Sequence, residues 1–183
     1  MASEWCIGII GGSGLYEIEG LEDAQWLDIE TPWGEPSDQI LCGTLGGVKV
    51  RFLPRHGRGH YVTPTELNAR ANIDALKRTG CTDILAISAV GSLREELEPG
   101  RFAVVDQFID RTVARTSTFF TSGYVAHVSM ADPTCERLSE MCGKAITACK
   151  GKAAVGATYL AMEGPQFSPR AESRMYRQWG ADN

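Results

Sequence analysis

The sequence predicts an α/β fold, a mixed central β-sheet flanked by helices, on three observations. Trp5-Cys6-Ile7-Gly8-Ile9-Ile10 is a short apolar run ending in Gly11-Gly12-Ser13-Gly14, the pattern of a buried strand that feeds a glycine loop. Residues 24–31 and 39–53 alternate apolar and polar, broken by Thr31-Pro32-Trp33-Gly34-Glu35-Pro36 and by Gly46-Gly47, which are strand and hairpin signals. Residues 82–91 are nearly continuous in apolar side chains, as a central strand buried on both faces requires. With 183 residues, 43% of them hydrophobic and 22% charged, a single domain over 1–183 is expected.

In chain order, the glycine loop comes first. Such a loop can cradle a phosphate, but it also fits a plain tight turn. It lacks the third glycine of a dinucleotide fingerprint, the lysine of a P-loop and the second glycine of a hydrolase elbow. The hairpin strands lead to Pro54-Arg55-His56-Gly57-Arg58-Gly59-His60, which gathers two arginines and two of the three histidines of the chain. Val48–Leu53 before it reads as a strand, and Thr63-Pro64-Thr65-Glu66 after it reads as a capping box opening a helix that stops at Gly80. The cationic cluster therefore falls on a strand-to-helix loop whose glycines admit a ligand and whose arginines match phosphate or carboxylate oxygens. A basic surface turn paired with acidic neighbours fits the same seven residues.

The strand over 82–91 ends in small residues, and ligands of open α/β sheets bind at such ends. Ser88 there can offer its hydroxyl to the same anion, or bond local backbone. A strand over 101–109 follows the Pro99-Gly100 turn, and 110–124 is a long loop without helical periodicity. His127 comes after it. Asp132 and Pro133 are expected to cap and start a helix to about Lys150, which places Cys135, Cys142 and Cys149 on one packed face. A strand over 155–162 then leads through Glu163-Gly164-Pro165-Gln166-Phe167 to a helix capped by Ser168, with Ala171, Met175 and Trp179 as one face and Gly180 as its stop. A further strand is expected next, and the chain reaches Asn183 without supplying one.

The net charge of -5, from 18 basic and 23 acidic residues, gives no field that would attract nucleic acid or an anionic membrane, so anion recognition has to be local. No run approaches the roughly 18 apolar residues of a membrane span, and the first residues lack the basic start of a signal peptide. A cytoplasmic location is expected. The six cysteines, spaced unlike a zinc ribbon or a redox motif, read as reduced thiols.

Together, Ile7–Leu15, Pro54–Arg58, Asn72–Leu76, Gly91–Glu96, Asp106–Thr112 and Met162–Ser173 resemble the purine nucleoside phosphorylase family, most closely its 5'-methylthioadenosine phosphorylase branch. The resemblance implies a phosphorylase-type fold without its C-terminal third. It also implies phosphate-dependent cleavage of the N-glycosidic bond of a purine nucleoside, with inorganic phosphate as co-substrate and no metal or other cofactor. In the matching positions phosphate is held by Ser13, Arg55, His56 and Ser88 with the backbone of Ala89. Met162 and Phe167 lie by the base, although Phe167 equally fits a core position, and His127 covers the 5' end of the nucleoside from a neighbouring subunit. A homotrimer or hexamer is implied. The acid that protonates the purine at N7 is expected beyond Asn183, which leaves the catalytic residue and the choice between adenine and 6-oxopurine nucleosides unassigned. The same residues also fit a non-catalytic module that keeps a phosphate pocket and subunit contacts. The last helix is expected to expose apolar surface in a chain of this extent.

Overall fold

The computed structural model describes residues 5–12, 18–120 and 123–183. These form two compact units, one made of the chain up to Ala89 with Thr116–Phe119, the other of Val90–Arg115 and Phe120–Asn183.

The first unit is a five-stranded mixed sheet with one helix. Its strands β1 (Cys6–Gly11), β2 (Glu22–Leu27), β3 (Ile40–Leu45), β4 (Val48–Pro54) and β5 (Asp83–Ala86) lie in the order β2-β3-β4-β1-β5. β3 runs antiparallel to both β2 and β4, while β1 runs parallel to both β4 and β5. Leu45 pairs with Val48 across Gly46 and Gly47, both at positive φ, as a two-residue hairpin turn of the favoured hand demands. Helix α1 (Ala69–Arg78) buries Ala71, Asn72, Ala75 and Leu76, one face at helical spacing. Its Ala75 and Leu76 close the core with Ile40, Cys42 and Leu53, and Ile10 and Ile84 pack around them.

Two expectations for this unit are corrected. The helix starts at Ala69, not at Pro64: Thr63 and Glu66 do bond each other, but as an isolated turn. Asn68 is the true cap, its side chain accepting from Ala71 N–H at 3.2 Å and donating to the Trp33 carbonyl at 2.8 Å. The helix start is thereby tied to the segment after Thr31. The strand expected to be central is short and, among the described strands, stands at the edge of its sheet and pairs with β1, and residues 86–92 are exposed.

The second unit is smaller in its order. Parallel strands β6 (Phe102–Arg111) and β7 (Ala153–Met162) pair, with α2 (Glu136–Ala148) between them in sequence and α3 (Arg170–Gln178) after them. α2 begins at Glu136 instead of Pro133, because the preceding segment is drawn onto β6: Gln107 Nε2 donates to the Ala131 carbonyl at 2.9 Å and Thr134 to that of Asp106. α2 buries no residue, and Cys135 and Cys149 are exposed with Cys142 intermediate, so the predicted cysteine face is not a packed one. Packed thiols are found instead in the first unit, where Cys6 and Cys42 are buried and burial, reinforced by Cys6, pushes the Cys81 thiol up to about 11. On α3 the anchor is Tyr176, joined to Leu160 and Ala181, whereas Ala171 and Trp179 are exposed. The last residues lie along β7: Asp182 N–H donates to Thr158 O at 2.9 Å and Leu160 N–H to Asn183 O at 2.7 Å. No described helix is long and apolar enough to cross a membrane.

Candidate anion-binding site

Three parallel strand ends build the site. β1 lies between β4 and β5, with Gly11 in register with Pro54, and the pairing continues one step further on both sides: Arg55 N–H donates to Gly11 O at 2.9 Å and Ile87 N–H to Ile10 O at 2.8 Å. The residues that follow each strand, Gly12, Arg55-His56 and Ser88-Ala89, are thus delivered to one sheet end, where the backbone turns away and side chains can converge on a ligand. Ser13, the predicted glycine-loop contact, lies outside the described residues.

Arg55 is the hub. Its Nε donates to His56 Nε2 at 3.1 Å and its Nη1 donates to Ser88 Oγ. A serine hydroxyl that accepts from a guanidinium still has its own O–H to give, so Ser88 and Arg55 present donors side by side at the strand ends. His56 is buried, and its Nδ1 lies 2.9 Å from the Val62 carbonyl. These partners assign the tautomer: Nδ1 carries the proton and Nε2 accepts. Burial, then the charges of Arg55 and His60, hold the His56 pKa below its usual value against the pull of the Val62 carbonyl. A neutral ring suits the arrangement, since a protonated Nε2 would face the guanidinium. Both ring nitrogens are engaged within the chain, Nε2 by Arg55 and Nδ1 by the Val62 carbonyl.

The two arginines of the cationic stretch part company. Arg58 turns to Asp38, whose carboxylate takes its backbone N–H at 2.6 Å and its Nη2 at 2.8 Å, while its guanidinium lies 4.0 Å over the Trp26 ring. Burial would raise the Asp38 pKa, but the Arg58 and Gln39 hydrogen bonds together outweigh it and hold the carboxyl below its usual range. The paired-turn reading of this stretch thus holds at Arg58, while Arg55 bonds only neutral partners, His56 and Ser88, in the hydrogen bonds given above. Gly57, at φ +72°, has no room for a side chain, since a Cβ there would meet the Tyr61 ring at 2.5 Å.

The remaining predicted residues belong to the second unit. Met162 ends β7, packs beside Leu160 and Tyr176, and its carbonyl accepts from Arg115 Nη2 at 3.2 Å. Phe167 is 95% exposed, which removes the core reading, and His127 is exposed as well. Sequence reasoning missed Glu163 as an organiser of this region. Its carboxylate accepts from Val113 N–H at 2.6 Å, Ala114 N–H at 2.9 Å and Arg115 Nε at 3.1 Å, which lowers its pKa to about 2. A cavity of 460 Å³ in this unit, bordered by Arg94, Glu95, Glu98 and Arg177, contains none of the predicted residues. Its charges are largely matched within the chain, Arg94 by Asp182 and Glu98 by Lys152, so the strand-end cluster remains the better-built candidate. Among the described residues there is no group of three or more side chains set to hold a metal ion.

A family model described as the phosphorylase superfamily matches residues 6–183. The chain belongs to the phosphorylase superfamily. Within it, the chain is 62% identical over 174 residues to the S-methyl-5'-thioadenosine phosphorylase of Cereibacter sphaeroides, covering 95% of this chain and 60% of that protein. It is 54% identical over 178 residues to the enzyme of the same name from Geobacter sulfurreducens, covering 97% of this chain and 62% of that protein. The crystal structure of a methylthioadenosine phosphorylase from an antarctic soil metagenomic library matches with a TM-score of 0.93 at 51% identity, over 98% of this chain and 64% of that one. The Schistosoma mansoni methylthioadenosine phosphorylase in complex with adenine matches at 0.92 and 37%, over 97% and 72%. The resemblance read from the motifs and the α/β fold class are both borne out. The chain spans about three-fifths of the length of the curated relatives it matches.

Proposed function

We propose that the chain carries the phosphate half of a methylthioadenosine phosphorylase, a pentosyltransferase that cleaves the N-glycosidic bond of 5'-methylthioadenosine with inorganic phosphate. The observation that supports this most directly is the convergence of Arg55, His56 and Ser88 at the ends of three parallel strands. In the proposed reaction a phosphate oxygen bonds to C1' of the ribose, the C1'–N9 bond breaks, and its electron pair leaves with the purine, which takes up a proton. Adenine and 5-methylthioribose 1-phosphate result. As the base departs C1' becomes cationic, so a dianion held close beneath it stabilises the transition state more than the ground state. Arg55 and Ser88 hold that dianion, with Ser13 and the Ala89 backbone as further contacts, and His56 orients Arg55.

Met162, Phe167 and His127 are assigned to the nucleoside, the last from a neighbouring copy in a homotrimer. The exposure of Tyr124, Val125, Val128 and Met130 around His127 is in keeping with a covered surface there. Phosphate is the co-substrate and no cofactor or metal is assigned. The setting proposed is purine salvage in the cytoplasm. The names of the curated relatives favour methylthioadenosine over 6-oxopurine nucleosides. No residue of this chain is assigned to the protonation of N7, and a non-catalytic phosphate-binding module is the second reading.

Titration with inorganic phosphate tests the site. Arg55→Ala should weaken binding by the roughly 1.5–3 kcal/mol of a charge-assisted hydrogen bond, and unchanged affinity overturns the assignment. Adenine release from methylthioadenosine should depend on phosphate and be slow in the 183-residue chain, since a general acid contributes roughly 10²–10⁴ in rate. Turnover of several per second would show that the acid lies within these residues, and phosphate binding with no release at all would favour the module.

A further inference from the structure

The loop that bears Arg55 and His56 is held from behind by residues that touch no part of the proposed phosphate site. Asn72, 2% exposed in α1, accepts the Ser37 N–H at 2.8 Å through Oδ1 and donates to Ser37 Oγ at 2.9 Å through Nδ2. The third polar group of Ser37, its carbonyl, accepts from Tyr61 O–H at 3.2 Å. Ser37 is buried, and each of its polar groups is occupied by a fixed partner. This pins Asp38, the next residue, beneath the cationic loop, where its carboxylate takes the Arg58 N–H, Nε and Nη2 and the Gln39 N–H. The Tyr61 ring meanwhile rests on the Gly57 backbone.

The two holds meet at Gly57-Arg58, directly after His56. Between Asp38 and Tyr61 the loop has little freedom to turn, and it closes on itself through Val62 N–H to His56 O at 3.0 Å and His56 Nδ1 to Val62 O. The imidazole is thereby set with Nε2 toward Arg55. Loops placed by a rigid scaffold carry function, and a reacting group misplaced by about 1 Å can cost roughly 10²-fold.

Resting on the phosphate reading above, we infer that Asp38, seated by Asn72 and Ser37, is a positioning residue for phosphate: by clamping Arg58 it fixes the His56 tautomer that aims Arg55. Asp38 does not touch the anion. Its clamp instead decides whether the guanidinium is already in place when phosphate arrives or must be ordered on binding, at a cost to affinity.

The test has two readouts on the 183-residue chain. In ¹⁵N-edited spectra of the imidazoles, His56 should show a single Nδ1–H tautomer in the parent, with mixed tautomers in Asp38→Asn. Titration with inorganic phosphate should show roughly tenfold weaker binding in Asp38→Asn, the effect of losing one charge-assisted hydrogen bond. Arg58→Lys, at a side chain 41% exposed, keeps the charge but not the fork. It should move both readouts in the same direction by a smaller factor, which keeps the test decisive should Asp38→Asn fold poorly. A parent-like His56 spectrum with phosphate affinity within about twofold of the parent, in a folded variant, overturns the inference. Loss of affinity with the tautomer unchanged also overturns it, since the clamp would then act other than through His56. If the parent binds no phosphate the reading of the site fails, and the His56 spectra still decide whether Asp38 sets the ring.

Discussion

The two units solve the problem of stability differently. In the first, Ile40, Leu53 and Leu76 are fully buried between sheet and helix, Phe52 is fully buried as well, and the polar groups that enter this interior, such as Asn72, are satisfied. In the second, α2 buries nothing, Phe102, Phe108 and Val155 are exposed, and among the described residues the buried apolar side chains are Ala157 and the small cluster of Leu160, Tyr176 and Ala181. What ties that unit together is polar. Glu163 collects the backbone of Val113 and Ala114, and Asp182 collects Thr158 N–H at 2.8 Å and Arg94 Nε at 2.8 Å. The unit with the dry core carries the preorganised cation, and the unit joined by carboxylates carries the exposed residues assigned to the nucleoside. A fixed anion site is best built on a packed scaffold, where side chains cannot relax.

The largest effect should come from breaking the dry core. Leu76→Ala removes a fully buried side chain packed among Ile40, Leu53 and Ala75, and should destabilise the first unit by about 2–5 kcal/mol, transfer and cavity terms together. Val155→Ala, at a residue 60% exposed in β7, should change stability by no more than about 0.5 kcal/mol. Urea denaturation of both variants checks the contrast. Equal losses would mean that the second unit is as tightly packed as the first.

Much of this contrast was legible in the sequence where the signal was local. The strands around Gly11, Pro54 and Ala86 declared themselves by apolar runs and alternation, and with them the sheet end that gathers Arg55, His56 and Ser88. What escaped was decided by contacts distant in the chain. Nothing near Arg55 and Arg58 tells them apart, because the carboxylate that claims Arg58 is Asp38, twenty residues earlier. Asn72 stands among Ala71, Ala75 and Leu76 on the buried face of α1, an amide in an apolar stripe that should have signalled a specific partner. Glu163 gave no signal, since its partners lie about fifty residues away. The helix starts were misplaced for the same reason: Asn68 and the segment after Ala131 are held by Trp33 and Gln107.

A smaller and more selective effect should follow from acid. The folded-state pKa of Glu163, about 2, lies below the ordinary glutamate value of 4.5 because of the Ala114 and Val113 amides and then Arg115. A depressed carboxyl contributes stability that is complete above its unfolded pKa and is lost as pH falls toward the folded one. The loosening should therefore appear between pH 4.5 and about 2, at the turn of Val113–Arg115. The amide resonances of Val113 and Ala114 would report it, and in Glu163→Gln they should lose this acid-dependent shift. A parent-like titration in that variant would assign the effect to another group.

The smallest effect belongs to the first unit and lies at milder pH. His56 is held neutral by burial first, then by Arg55 and His60, so its folded pKa stands below the ordinary 6.5. The sign is the same as for a depressed carboxyl: the unfolded chain binds the proton more readily, so the contribution is complete above pH 6.5 and declines as pH falls below it. Only one ring is involved and Arg55 can swing away from it, so the first unit should lose little stability here. Phosphate binding should respond more, because a protonated Nε2 can no longer accept from Arg55 Nε and the guanidinium loses its bearing on Ser88. His56→Gln, whose side-chain carbonyl offers an acceptor without a titrating proton, should bind phosphate more weakly above pH 6.5 and lose the pH dependence attributed to the ring. Phosphate titrations between pH 5 and 8 on the parent and His56→Gln separate this from the protonation of phosphate itself, which is common to both. Parallel curves for the two proteins would mean that the neutral ring does not set the arginine.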